Sequence, residues 1–136
     1  MRRALPLIIL VALLSNGCSH EAPTEDVDKA AAQFFLRVKG AQYNLIYNDA
    51  ADKFKTTKSK AELQNSLEQL LATGKPEQWI RINMNFNDRD KSRFAEPDYM
   101  LETDRNRVLV NLTFVDDNGE WKLMGFRANP NAWGKQ

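Results

Sequence analysis

The chain is 136 residues long, 43% hydrophobic, with 19 Lys and Arg against 18 Asp and Glu, one Cys and one His. That length makes one domain, able to bury roughly two-thirds of the surface its unfolded chain exposes, and the near-neutral charge gives no electrostatic reason to expect nucleic acid as a partner. A single Cys excludes an intramolecular disulfide, and the composition is neither disordered nor collagen-like.

Met1-Arg2-Arg3 is a basic start, followed by an apolar run from Ala4 to Leu14. As a helix that run rises about 16 Å, half of a bilayer core of roughly 30 Å, so it is too short for an ordinary transmembrane span. Its length and flanks fit the apolar region of a secretory signal. Leu14-Ser15-Asn16-Gly17 then leads to the only cysteine, Cys18. The segment resembles a bacterial lipoprotein lipobox, with Gly17 before the cysteine and Ser15 where such boxes usually have Leu. The resemblance implies that the Cys18 thiol carries a diacylglycerol and becomes the first residue after cleavage. Two or three acyl chains anchor stably where one binds only marginally. Ser19 stands where an inner-membrane retention Asp would sit in enteric-type lipoproteins, which implies the outer membrane, facing the periplasm. The expected divisions are a signal peptide over 1–17, a lipidated Cys and tether over 18–26, and one domain over 27–136. Without the signal the net charge is −1. The tether is polar, contains Pro23 and has no apolar periodicity, so His20 within it reads as solvated.

The first half of the domain is helical in pattern. Val27, Ala31, Phe34, Val38, Ala41 and Leu45 recur at helical steps, with Thr24 or Asp26 as a cap. Leu36, Tyr43, Tyr47, Ala50 and Phe54 keep the same period on a second face. Gly40 between them predicts a break into two packed helices. Ser59 and Glu62 form a capping box before a stripe of Leu63, Leu67, Leu70 and Leu71, and Gly74 and Pro76 end that helix.

From Trp79 the period changes to two. Ile80, Ile82, Met84 and Phe86 alternate with Arg81, Asn83, Asn85 and Asn87, the pattern of a half-buried strand. Asn87 to Arg93 reads as a charged loop, Tyr99 to Thr103 as a short strand, and Asp104-Arg105-Asn106 as a turn. Val108, Val110, Leu112 and Phe114 form one face of a long strand, and Asp116-Asp117-Asn118-Gly119 is a hairpin turn. A four-residue loop sets Phe114 opposite Trp121 and Leu112 opposite Leu123. A bulge at Gly125 returns Phe126 to the same side.

Helices first and antiparallel strands afterwards predict an α+β fold, N-terminal helices on a curved antiparallel sheet of about four strands. The runs Gln42-Tyr43-Asn44-Leu45-Ile46-Tyr47 and Ala50-Ala51-Asp52-Lys53-Phe54-Lys55, the Ser59 helix, and Asn118-Gly119-Glu120-Trp121-Lys122-Leu123 with Phe126 resemble small lipoproteins of the cystatin-like cone fold. This is the superfamily of nuclear transport factor two-like and SnoaL-like proteins. The resemblance implies a cone and leaves the function open, since that superfamily hosts isomerases, hydratases, binding modules and proteins of unknown role.

After His20 the chain has no His or Cys. Ser–His–acid and Cys–His nucleophilic sites and Cys/His zinc sites are therefore excluded from the domain, and there is no Gly-rich phosphate loop. Carboxylate, tyrosine, arginine and lysine chemistry remains. Tyr43 and Tyr47 share a helical face and, with Tyr99, are candidates for lining a cavity; packing in the core is their other reading. Arg81 is the cationic member of the stripe Arg81, Asn83, Asn85, Asn87. That stripe lines a polar cavity if it faces the helices and is a solvated or partner surface if it faces outward, as the apolar alternate face favours. Asp98 and Glu102 are candidate bases only by elimination, beside a solvated-surface reading. Asp88, Asp90, Asp116 and Asp117 lack calcium-loop spacing. No catalytic residue, metal site or cofactor is assigned.

The expected function is a membrane-anchored periplasmic binding module for an envelope protein or a small ligand, held to the membrane by its lipid, with a sheet face that would allow a homodimer. The alternatives are a cone-fold isomerase or hydratase using a carboxylate and a tyrosine, and an immunity-type or assembly lipoprotein whose apolar patch includes Trp133.

Overall fold

The computed structural model describes residues 22–132. The expected signal peptide, Cys18, His20 and Trp133 lie outside them. Among the described residues, four helices are followed by four strands: α1 (Ala22–Lys39), α2 (Tyr43–Asp49), α3 (Asp52–Thr57), α4 (Lys60–Ala72), β1 (Pro76–Arg89), β2 (Ser92–Thr103), β3 (Arg107–Asp117) and β4 (Glu120–Asn129). The strands form one antiparallel sheet in the order β1-β2-β3-β4. The fold is α+β, as the pattern predicts.

α1 buries Val27, Ala31, Phe34, Phe35 and Val38. It already includes residues 22–26, so Thr24 and Asp26 sit inside the helix and are not its caps. Pro23 falls in the described first turn, where its missing N–H does no harm. The sequence stripe fails beyond Gly40. Ala41 takes φ +53°, the chain turns, and Ala41 and Leu45 are exposed. Leu36 is 57% exposed, and its neighbour Phe35 is the large side chain fully buried. The second helical stretch breaks again at Ala50 and Ala51, both extended, because the Ala51 N–H donates to the Leu123 carbonyl of β4 at 3.0 Å.

The Ser59 box forms as predicted. Ser59 Oγ accepts from the Glu62 N–H, and Glu62 Oε2 accepts from the Ser59 N–H, each at 3.1 Å. At the other end of α4 the β2–β3 turn supplies donors to carbonyls the helix leaves free. Arg105 Nη2 donates to the Ala72 carbonyl at 2.9 Å and Asn106 Nδ2 to that of Thr73 at 2.6 Å. Gly74, at φ +139°, lets the two meet: a Cβ there would lie 2.2 Å from Thr103 Oγ1.

The strands depart from the predicted pattern in three places. β1 and β2 are one long hairpin turning at Asp90 and Lys91, both at positive φ, so the expected loop over 87–93 and the short strand over 99–103 are replaced by a twelve-residue β2. Pro97 is accommodated where the β2–β3 ladder is interrupted, at Glu96 and Pro97. The β3–β4 turn is the two-residue Asn118-Gly119, again with both φ positive, which matches the right-handed twist of the flanking strands. Phe114 therefore faces Leu123, and Asp116 faces Trp121. The register differs from the expected one by two residues, which leaves every side chain on its predicted face. A register shift at Met124 returns Phe126 to the inner side, where its ring lies 5.6 Å from Phe34.

The third departure is in β1. Trp79 faces Leu101 and Arg81 faces Tyr99; then the register slips, and Asn83 faces Asp98. Ile82 is the extra residue of a bulge. The inward set is Trp79, Arg81, Met84 and Phe86, while Ile80 and Ile82 are 46% and 55% exposed.

Two glycine variants separate steric from conformational strain. Gly74→Ala meets both and is expected to lower stability by about 1–3 kcal/mol. Gly119→Ala, at φ +89° with nothing within 4 Å, meets only the left-handed backbone penalty of about 1–2 kcal/mol. Urea midpoints of the two variants check the order, Gly74→Ala being the lower.

Candidate functional site

The bulge sends Arg81 to the helix side of the sheet, beside Tyr99 of β2. Tyr99 is buried, and its hydroxyl donates to Asp28 Oδ1 of α1 at 2.7 Å. Arg81 Nη1 lies 3.5 Å from the other carboxylate oxygen, Asp28 Oδ2. The aromatic layer below is continuous: Phe35 meets Tyr99 edge-on at 5.5 Å and stacks on Trp79 at 5.2 Å. Asp28 lies on the α1 face that carries Ala31 and Phe35, three and seven residues on.

Above these groups α1 and β1 leave an open depression of about 680 Å³, lined by Thr24, Glu25, Asp28, Arg81, Ile82, Asn83 and Met84. Glu25 and Asp28 line it together with Arg81, and Ile82 and Met84 supply apolar wall. The Asp28 and Arg81 side chains are 40% and 34% exposed. Burial, and then the bond to Asp28, push the Tyr99 phenol far above its ordinary value of 10.0. The phenol therefore stays a proton donor, and Asp28 is engaged on both oxygens. Each Asp28 oxygen keeps a further lone pair, and the side chain is 40% exposed, so it can accept from a ligand's ammonium, guanidinium or hydroxyl.

Of the four candidate cavity residues, Tyr99 and Arg81 come together and the other two do not join them. Tyr43 and Tyr47 lie on α2, half-buried. Tyr43 lines a shallow groove with Gln42, Leu45 and Gln64, and burial and the Glu68 charge raise its phenol. The stripe divides: Arg81 is inward, while Asn83 and Asn85 are on the outer face, facing Asp98 and Glu96. Asp98 and Glu102 are also on that face. Asp98 accepts from Asn83 Nδ2 and Asn111 Nδ2, and Glu102 accepts from Gln78 and lies 3.6 Å from Arg107. Neither reaches the depression. Asp28 is absent from the residues expected by type, and its one signal in the sequence is an acid on the buried stripe of an amphipathic helix.

A second hollow, about 50 Å³, lies between α1, α2 and the β3–β4 hairpin. Phe34, Ile46, Phe114 and Trp121 line it, and the Arg37–Asp49 ion pair of 2.7 Å crosses it. It has room for no more than a small side chain. Among the described residues no three acidic, His or Cys side chains converge to hold a metal, and no helix is long and apolar enough to cross a membrane. No protein-family model matches the chain, and no curated protein matches it.

Tyr99→Phe removes the bond to Asp28 and keeps the ring. With Asp28 partly solvated, the expected loss is about 1–2 kcal/mol near neutral pH. Because the folded phenol titrates above the unfolded one, its stabilisation is full below pH about 10 and declines as the pH rises beyond it. Denaturant melts between pH 7 and 11 should show wild type losing stability at the alkaline end and Tyr99→Phe losing less.

Proposed function

We propose that this chain is a lipid-anchored recognition domain of the outer membrane, facing the periplasm, whose body is a cystatin-like cone. Its binding site is the depression between α1 and β1. The observation that carries this reading is Asp28, whose charge is fixed by Tyr99 and Arg81 at the floor of an open site with apolar walls. A carboxylate held in place by two neighbours is pre-arranged to accept from a ligand's donor groups. The occupant is a basic or hydrogen-bond-donating group carried on a short apolar stem, on an envelope protein or a small amine.

The lipobox-like run ending at Gly17-Cys18 supports the anchor. α1 begins at Ala22, four residues after Cys18, a reach of at most about 14 Å. An acylated Cys18 would hold the depression close to the headgroups, so the site would serve partners at the membrane surface. Mass spectrometry of membrane-extracted protein is expected to give an N-terminus at acylated Cys18, and Cys18→Ser to move the chain into the soluble fraction. An unmodified N-terminus elsewhere refutes the anchor. For the site, primary amines and short basic peptides are expected to raise the melting temperature of the wild type and leave Asp28→Asn unchanged.

A second reading, a small cone-fold isomerase or hydratase, draws on the same pair, because a phenol and a carboxylate stand 2.7 Å apart. It assigns the base to Asp28, which would take the proton on a lone pair that Tyr99 and Arg81 leave free. Turnover of an enolisable or hydratable compound that Asp28→Asn abolishes, with binding retained, would favour it over recognition.

A further inference from the structure

The two edges of the sheet differ. β4 is covered where the Ala51 N–H meets the Leu123 carbonyl. β1 is the other edge, and among the described residues no backbone group outside the sheet bonds to it between Asn83 and Asn87. An open edge is a template for another strand unless its side chains oppose pairing.

This stretch reads Asn83-Met84-Asn85-Phe86-Asn87, nearly the same in both directions. Its asparagines lie on the outer face, and Met84 and Phe86 lie on the inner face. We propose that β1 pairs edge to edge with β1 of a second copy of this chain over these five residues. The two-fold axis passes at Asn85, and the two sheets become one.

In that register Asn85 meets Asn85, Asn83 meets Asn87, and Met84 meets Phe86, each pair on a common face. The amides are matched. Asn83 Nδ2 already donates to Asp98, which leaves its Oδ1 as acceptor. Asn87 Oδ1 is buried without a partner, so that side chain has only its Nδ2 to offer. Asn is a poor strand former by itself, but a side chain that both donates and accepts suits pairing with its own copy. Beyond the matched stretch the same register sets Asp88 opposite Ile82 and would bring Arg89 opposite Arg81, a like-charge pair that opposes further pairing. The bulge ends the pairing there. The contact closes after two chains and cannot add a third at the same edge.

Residues facing each other across an antiparallel pair have Cα atoms about 4.5–5.5 Å apart, within disulfide reach. In the full chain, in its membrane, mild oxidation is expected to link Asn85→Cys into a dimer absent from the unsubstituted chain. Co-expressed Asn83→Cys and Asn87→Cys are expected to link to each other, and neither to itself. Asn85→Lys sets like charges at the axis and is expected to cut the dimer at least tenfold, by light scattering of the detergent-extracted chain. Linking at Thr113→Cys, on the outer face of β3, with none at Asn85→Cys would mean face-to-face association and overturn the proposal. So would a monomer with every variant, or self-linking by Asn83→Cys.

Discussion

The extra residue at Ile82 governs the architecture of this domain. A strand alternates its side chains strictly, so a single inserted position reverses every face beyond it. Without the slip between Arg81 and Asn83, no register could turn both Trp79 and Phe86 toward the helices. With it, Trp79 stacks on Phe35 at one end of β1, and Phe86 lies 6.0 Å from the Trp121 ring at the other. The cost is that Ile80 and Ile82 remain in water and Arg81 is brought inward. Arg81 is tolerable there because α1 brings an acid to it.

That acid ties the helical half of the chain to the sheet. Asp28 and Tyr99 are 71 residues apart in sequence, and their bond joins the first helix to a central strand. Similar mutual satisfaction recurs elsewhere: Arg37 with Asp49, Asp98 with two asparagines, Glu102 with Gln78 and Arg107. Each of these groups is held in place by its neighbours, so it would cost little further ordering if a ligand arrived.

Much of the fold was legible from periodicity and capping. The Ser59 box, the leucine stripe of α4 and the Val108–Phe114 face are local signals, and each stands as read. The failures have physical causes. Phe35 and Leu36 are equally apolar, and only docking against Trp79 and Tyr99 decides which is buried. The Asp90-Lys91 turn lacks the glycine that announces such turns, so a continuous hairpin looked like a loop. The β3–β4 register lies two residues from the one the sequence suggests because Asp116 and Asp117 look like turn residues but belong to the strand. The site was half visible. Tyr99 and Arg81 were singled out by type, but their meeting depends on a bulge that a run of alternating isoleucines conceals. Asp28 is legible as an acid on the buried stripe of α1, but its partners are not, because nothing local in the sequence shows that β2 passes beneath it.

The sheet is a meander, each strand hydrogen-bonded to the next in sequence. Such short-range connectivity lowers the entropic barrier to assembly and favours rapid formation. α1 is the exception, because the aromatic rings that shelter Phe35 come from strands synthesised long after it. A chain emerging N-terminus first thus presents an unsheltered apolar helix while the polypeptide behind it is still arriving. Its greatest exposure to aggregation falls in that interval and ends when the second strand arrives.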